Sequence, residues 1–250
     1  MNAVTRDIWA RWRATTRARI GLGRSGDALP TSALLDFQAA HGRARDAVHG
    51  AADFTALAEQ LKPLPCLTVH SKAMDRATYL RRPDLGRRLD EASGQTLEAA
   101  AGSWDIAFVI ADGLSSRAVM AHAVPVLRDC MAGLADWRIA PIVLAAQARV
   151  ALGDDIATRL NAKAVAVLIG ERPGLSVADS LGVYLTWEPK IGRADSERNC
   201  ISNIHADGMS HEQAAATLLW LLREARLRRL SGIGLKLNPA AVAAMLPPIT

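Results

Sequence analysis

Two stretches hold the side chains best placed to do chemistry. In the first, an apolar, β-branched run from Val165 to Ile169 breaks sharply at Gly170-Glu171-Arg172-Pro173-Gly174. A carboxylate and a guanidinium in a Gly/Pro-fixed turn after a buried strand present themselves to a ligand from a rigid base. As a general base, Glu171 needs an apolar site that raises its pKa. The adjacent Arg172 works against that, so a structural or ligand-bonding carboxylate is the expectation. The second stretch, Glu188 to His205, reads as a polar loop with Arg193, Asp195, Glu197, Arg198 and Cys200. A nucleophilic Cys200 needs a base in reach, and His205 is the candidate. The favoured reading is a small, half-buried thiol lining a pocket wall. Gly21-Leu-Gly23-Arg-Ser-Gly26 matches GxGxxG, but the dinucleotide fingerprint needs a strand before it and a helix opening on it. Here a basic helix precedes and Asp27-Ala-Leu-Pro30 follows, so a helix-ending connection is expected. The sequence holds no GxxxxGK[ST], GxSxG or HExxH.

The elements that must position these residues read as follows. Trp9, Trp12, Thr16 and Ile20 recur at helical spacing in the Arg-rich stretch Met1 to Arg24, which predicts an amphipathic basic helix that buries its Trp side chains on a partner or on the domain. Thr31 or Ser32 can cap a helix over Ala33 to His49, and a further helix covers Phe54 to Leu61 before Pro63 and Pro65. Leu67 to His70 is a strand, and Ser71 to Asp90 a solvated loop dense in Arg and Asp or, alternatively, a partner-facing surface. Arg87 to Ala101 reads as helix. From Trp104 the pattern is regular. Apolar runs at Trp104 to Ile110, Ile139 to Ala146 and Ala164 to Ile169 alternate with helices at Arg117 to Leu134 and Ala151 to Asn161. Near-continuous apolar strands separated by helices predict an α/β fold, a Rossmann-like open, mostly parallel sheet with helices on both faces. Ligands in such sheets sit at the carboxyl ends of the strands, an edge that gathers Asp112 to Ser116, Gln147 to Val150 and Gly170 to Leu175. Leu181 to Trp187 is a fourth strand, whose end joins that edge if it runs parallel. Ser210-His-Glu-Gln213 is a capping box opening a helix over Ala214 to Leu230. The expected organisation is an N-terminal helical extension (1–62), a main domain (63–237) and a tail (238–250).

Composition bounds the rest. The 250 residues are half apolar but only 4% aromatic, so the core is aliphatic. The formal net charge of +5 permits an acidic partner or nucleic acid. The basic residues spread along helix ends with little aromatic interleaving, so no nucleic-acid platform is expected. Cys66, Cys130 and Cys200 are far apart and odd in number, with no CxxC. Neither a zinc site nor a disulfide framework is read, and a reducing cytoplasm is the expected compartment. No apolar run approaches the ~20 residues of a membrane span, and no secretory signal opens the chain.

Asn203-Ile-His205-Ala-Asp-Gly208 reads NxHxxG, one residue from the DxHxxG pattern through which some cobalamin proteins ligate cobalt. It follows the fourth strand rather than the first and lacks the orienting Asp, so a capping or pocket-lining His is expected. Five longer segments carry a stronger resemblance: DRATYLRRPDLGRRLD (Asp75 to Asp90), VIADGLSS (Val109 to Ser116), QARVALGDDIA (Gln147 to Ala157), IGERPGLSVADSLGVY (Ile169 to Tyr184) and NCISNIHADGMSHEQAA (Asn199 to Ala215). Together they resemble the small (light) subunit of ethanolamine ammonia-lyase, over roughly Arg13 to Leu237.

The resemblance implies an adenosylcobalamin enzyme that converts ethanolamine to acetaldehyde and ammonia. It implies a TIM-barrel large subunit with the catalytic groups, and a Rossmann-like small subunit covering the other face of the corrin. It also implies cobalamin bound with its own benzimidazole on cobalt, so no metal ligand and no catalytic residue is expected in this chain. By motif, the cobalamin contacts are Val150, Glu171 and Cys200. The Arg-rich loop Arg76 to Arg88 and the N-terminal helix are the candidates for docking the large subunit. The family also allows a bacterial microcompartment as the setting, although this N-terminus is shorter than in relatives with long polar extensions. The competing readings are a stand-alone nucleotide-binding Rossmann-like protein and a basic nucleic-acid module.

Overall fold

A computed structural model describes residues 7–246. Its six strands are β1 (Cys66–His70), β2 (Ala107–Ala111), β3 (Ile142–Ala146), β4 (Ala164–Gly170), β5 (Leu181–Trp187) and β6 (Asn199–Ile204). Its helices are α1 (Ala10–Arg13), α2 (Thr31–His49), α3 (Phe54–Leu61), α4 (Arg76–Arg81), α5 (Glu91–Ala99), α6 (Ser116–Met131), α7 (Leu152–Leu160), α8 (His211–Arg228) and α9 (Pro239–Ala243). The strands form one sheet in the order β1-β3-β2-β4-β5-β6. The fold is α/β with helices on both faces.

The first four strands pair in parallel. β2 and β4 are buried along their whole length, as apolar central strands covered on both sides must be. Side chains alternate between two cores. One face, with Phe108, Ile110, Leu168 and Val183, packs under α3, α6 and α8. The other, with Val109, Val143, Val167 and Ile169, packs under α5 and α7. The order reverses at β2, which has β3 on one side and β4 on the other. A crevice at the carboxyl ends of these strands follows from that reversal.

Several expectations need correction. β5 runs antiparallel to β4, and β6 antiparallel to β5. The sheet is therefore mixed, with β5 alone reversed. A ten-residue connection suffices for this reversal, whereas a parallel crossover needs a dozen or more residues. The polar stretch read as a loop holds β6. As an edge strand it buries only Ile201 and Ile204, so it lacks the apolar run of a central strand. The N-terminal amphipathic helix shrinks to the single turn α1, and Trp9 and Trp12 are 47% and 61% exposed. Short helices need a packed face to persist, and this one buries no residue. Met1 to Arg6 of that expected helix lie outside the described residues.

Gly21, Gly23 and Gly26 all have positive φ, with no strand before them among the described residues and α2 opening only at Thr31. GxGxxG therefore serves the turn of a connection here. Pro30 occupies the N-cap of α2, so neither Thr31 nor Ser32 caps it, and the buried residues of α2 are Ala40 and Ala47. α5 starts at Glu91, later than expected, because Asp90 caps it by accepting from Ser93 N at 2.8 Å. β2 begins at Ala107 rather than Trp104, which joins the sheet only through an isolated bridge to Ala162. The described part of the tail folds back on the domain: α9 packs on α8 and buries Val242. No helix among the described residues is long and apolar enough to cross a membrane.

Candidate functional site

The crevice is assembled from the connections that follow β2, β3 and β4. Asp112, one residue beyond β2, accepts from the backbone N–H of Gln147 at 2.9 Å and of Ala148 at 3.0 Å, which ties the β2 and β3 connections together. Arg76 braces the same corner. Its Nη1 lies 3.6 Å from Asp112 Oδ2, and its guanidinium donates to Val48 O at 2.6 Å and Gly113 O at 2.8 Å. Burial pushes the Asp112 carboxyl up, against the two amide donors and Arg76. Gly113, at φ +57°, and Gly170 let the β2 and β4 ends meet backbone to backbone: Leu114 N donates to Gly170 O at 2.9 Å. A Cβ on Gly170 would sit 2.0 Å from Ser115 O. Only glycine permits that approach.

Part of the Arg/Asp-rich loop is thus structural rather than solvated. Tyr79 is fully buried, its hydroxyl donates to Ala148 O at 3.0 Å, and the Arg149 guanidinium lies 4.2 Å from its ring centroid. Burial also raises the Tyr79 pKa far above its ordinary value. Arg81, Arg82, Arg87 and Arg88 remain exposed, and the turn that carries them is tied to the crevice by Arg149 N donating to Gly86 O at 2.8 Å.

The result is an open cleft of about 410 Å³ whose walls include Tyr79, Gly113, Val150, Gly170, Glu171 and Tyr184. Val150 sits just before the N-cap of α7. Glu171 directly follows β4, its Oε2 accepting from Ser180 Oγ at 2.6 Å. Val150 and Glu171 therefore share one cleft. Cys200 is the cross-strand partner of Tyr184, so the two side chains stand side by side on one face, and Cys200 is exposed rather than half-buried. Desolvation raises both the Tyr184 hydroxyl and the Cys200 thiol above their ordinary values. A thiol shifted that way is not activated for attack.

His205 does not serve Cys200. Asn203, at φ +64°, turns the chain between them. The His205 ring closes its own turn: Nε2 bonds Asn203 Oδ1 at 2.8 Å and Nδ1 accepts from Asp207 N at 3.3 Å. It is a capping histidine, so the catalytic dyad does not form.

Sequence reasoning missed Tyr184, Ser180 and the partner of Arg198. Tyr184 could have been found from its alternation in β5, which puts it on the face of Val167. Asp154, in the first turn of α7, meets Arg198 in a fully buried, two-pronged ion pair, at 2.8 and 2.6 Å, that locks the start of β6 to α7. No sequence signal links residues 44 positions apart.

Comparison with known proteins places this geometry. Residues 6–236 match the family model described as ethanolamine ammonia-lyase light chain (EutC). The ethanolamine ammonia-lyase small subunit of Pseudomonas syringae pv. tomato is 52% identical over 243 residues, 94% of this chain and 85% of that one. The protein of the same name from Pseudomonas putida (strain W619) is 53% identical over 236 residues, covering 91% and 87%. That of Pseudomonas aeruginosa (strain UCBPP-PA14) is 50% identical over 252 aligned positions, covering 98% and 92%.

Proposed function

Because this chain belongs to the ethanolamine ammonia-lyase light-chain family, and so is part of a lyase, we propose that it pairs with the large subunit and completes an adenosylcobalamin site at their interface. The observation that carries this reading is the cleft shared by Val150 and Glu171 at the strand-order reversal. The chemistry of the walls fits a corrin bearing amide side chains. Val150 and the Tyr184 ring offer apolar surface, Glu171 accepts hydrogen bonds from amide N–H or hydroxyl groups, and Gly113 and Gly170 keep the floor free of side chains. Adenosylcobalamin supplies the radical chemistry when bound, while the protein supplies binding and orientation. Cys200, exposed beside Tyr184, is the third proposed cofactor contact. The exposed Arg81, Arg82, Arg87 and Arg88 flank the same edge and are the proposed contacts for the large subunit. We place the complex in the cytoplasm, where Cys66, Cys130 and Cys200 stay as free thiols. A stand-alone nucleotide-binding role is not favoured, because the glycine motif lies in the N-terminal arm, outside the cleft.

The test is co-expression with the large subunit, purification through a tag on one chain, and assay of acetaldehyde formed from ethanolamine across an adenosylcobalamin titration. Activity is expected only with both chains. Glu171→Ala should raise the half-saturating cofactor concentration about tenfold, the size of one lost charge-assisted hydrogen bond. Failure of the chains to co-purify, or activity from the large subunit alone with an unchanged cofactor requirement, would sink the reading.

A further inference from the structure

The connection from β4 to β5 folds back around Glu171. Its backbone N–H donates to the Ser180 carbonyl at 2.9 Å, and the Ser180 hydroxyl donates to its Oε2 at 2.6 Å. The same two residues are thus joined main chain to main chain and side chain to side chain. The other carboxylate oxygen lies over Gly182. A Cβ there would stand 2.9 Å from Glu171 Oε1, 3.3 Å from its Cγ and 3.3 Å from Tyr184 Cε2. Gly182 is not among the glycines with positive φ. Space, rather than an unusual backbone conformation, is what glycine supplies at this position.

We propose that Ser180 and Gly182 are positioning residues for Glu171. The Ser180 hydroxyl holds the carboxylate at the cleft wall, and the absent side chain of Gly182 leaves room for it there. This rests on the reading of the cleft as a cobalamin contact. Neither residue touches the cofactor. Each acts by restricting a flexible side chain before binding, so that less conformational entropy is lost when the ligand arrives.

The experiment uses the two-subunit complex, titrated with adenosylcobalamin and followed by absorbance and by acetaldehyde formation. Ser180→Ala and Gly182→Ala should each raise the half-saturating cofactor concentration about five- to tenfold, with kcat at saturating cofactor unchanged. Ser180→Thr, which keeps the hydroxyl, should restore the parent value. In a Glu171→Ala background the carboxylate is gone, so neither substitution should add more than about twofold. Effects that multiply in that background would overturn the proposal, since the residues would then act independently of Glu171. A parent-like Ser180→Ala, where Glu171→Ala itself weakens binding, would overturn it as well. If Glu171→Ala binds as the parent does, the cobalamin reading of the cleft fails and the positioning role goes with it. Thermal unfolding of each variant separates folding from binding. Should Gly182→Ala not assemble, the Ser180→Ala and Ser180→Thr pair carries the test.

Discussion

At the scale of single residues, the most consequential contact away from the cleft is between Arg198 and Asp154, whose side chains are 1% and 0% exposed. Removing one partner strands a buried charge, which costs about 3–5 kcal/mol. Arg82–Asp84, at 60% and 58% exposure, looks similar on paper. An exposed pair of that kind contributes little, because solvent screens it and both long side chains stay mobile. Arg198→Met should therefore lower the urea midpoint strongly and Arg82→Met hardly at all; equal losses would refute the distinction. Glu171 was legible in the sequence because Gly170, Pro173 and Gly174 punctuate the end of an apolar run. Ser180 was not, because a serine nine residues away carries no local sign that it will bond that carboxylate.

At the scale of elements, the helices declare themselves through their caps. The Ser210–Gln213 capping box reads directly from sequence and forms as expected, with two reciprocal hydrogen bonds of 3.2 Å. How α8 meets α6 is a different matter. His122 of α6 and His211 of α8 bond through Nδ1 and Nε2 at 3.0 Å, a contact that holds one proton between the two rings. Burial, then the neighbouring His211, hold His122 below its ordinary value of 6.5. The folded chain thus takes up this proton less readily than the unfolded chain. The stabilisation is complete above about pH 6.5 and is lost as pH falls through the folded value. The urea midpoint should drop between pH 7.5 and 5.5, and by less in His122→Asn; the same drop in both would remove the histidine pair as its cause. Strand direction was likewise not legible. β5 is apolar enough to be either a parallel or an antiparallel neighbour of β4, and pairing alone settled it.

At the scale of the whole molecule, 30 Lys and Arg are offset by 25 Asp and Glu, which leaves a net charge of +5. Arg198, Arg76 and Arg138 are spent on Asp154, Asp112 and Asp105 inside or at the edge of the fold. The isolated chain should show no retention on random-sequence DNA at about 0.15 M salt, because arginines already paired with carboxylates, Arg82 with Asp84 among them, make few phosphate contacts. Salt-sensitive binding at that ionic strength would reopen the nucleic-acid reading. The sequence by itself determined the alternation of buried strands and capped helices, and the edge on which Val150 and Glu171 would lie. Burial and helix caps are properties of runs of neighbouring residues, so they can be read locally. Only the tertiary structure decided the reversal of β5, the existence of β6, the exposure of Trp9 and Trp12, and the pairing of Cys200 with Tyr184. Each depends on which distant segment offers a hydrogen-bond ladder or an apolar surface, and separation along the chain does not encode that.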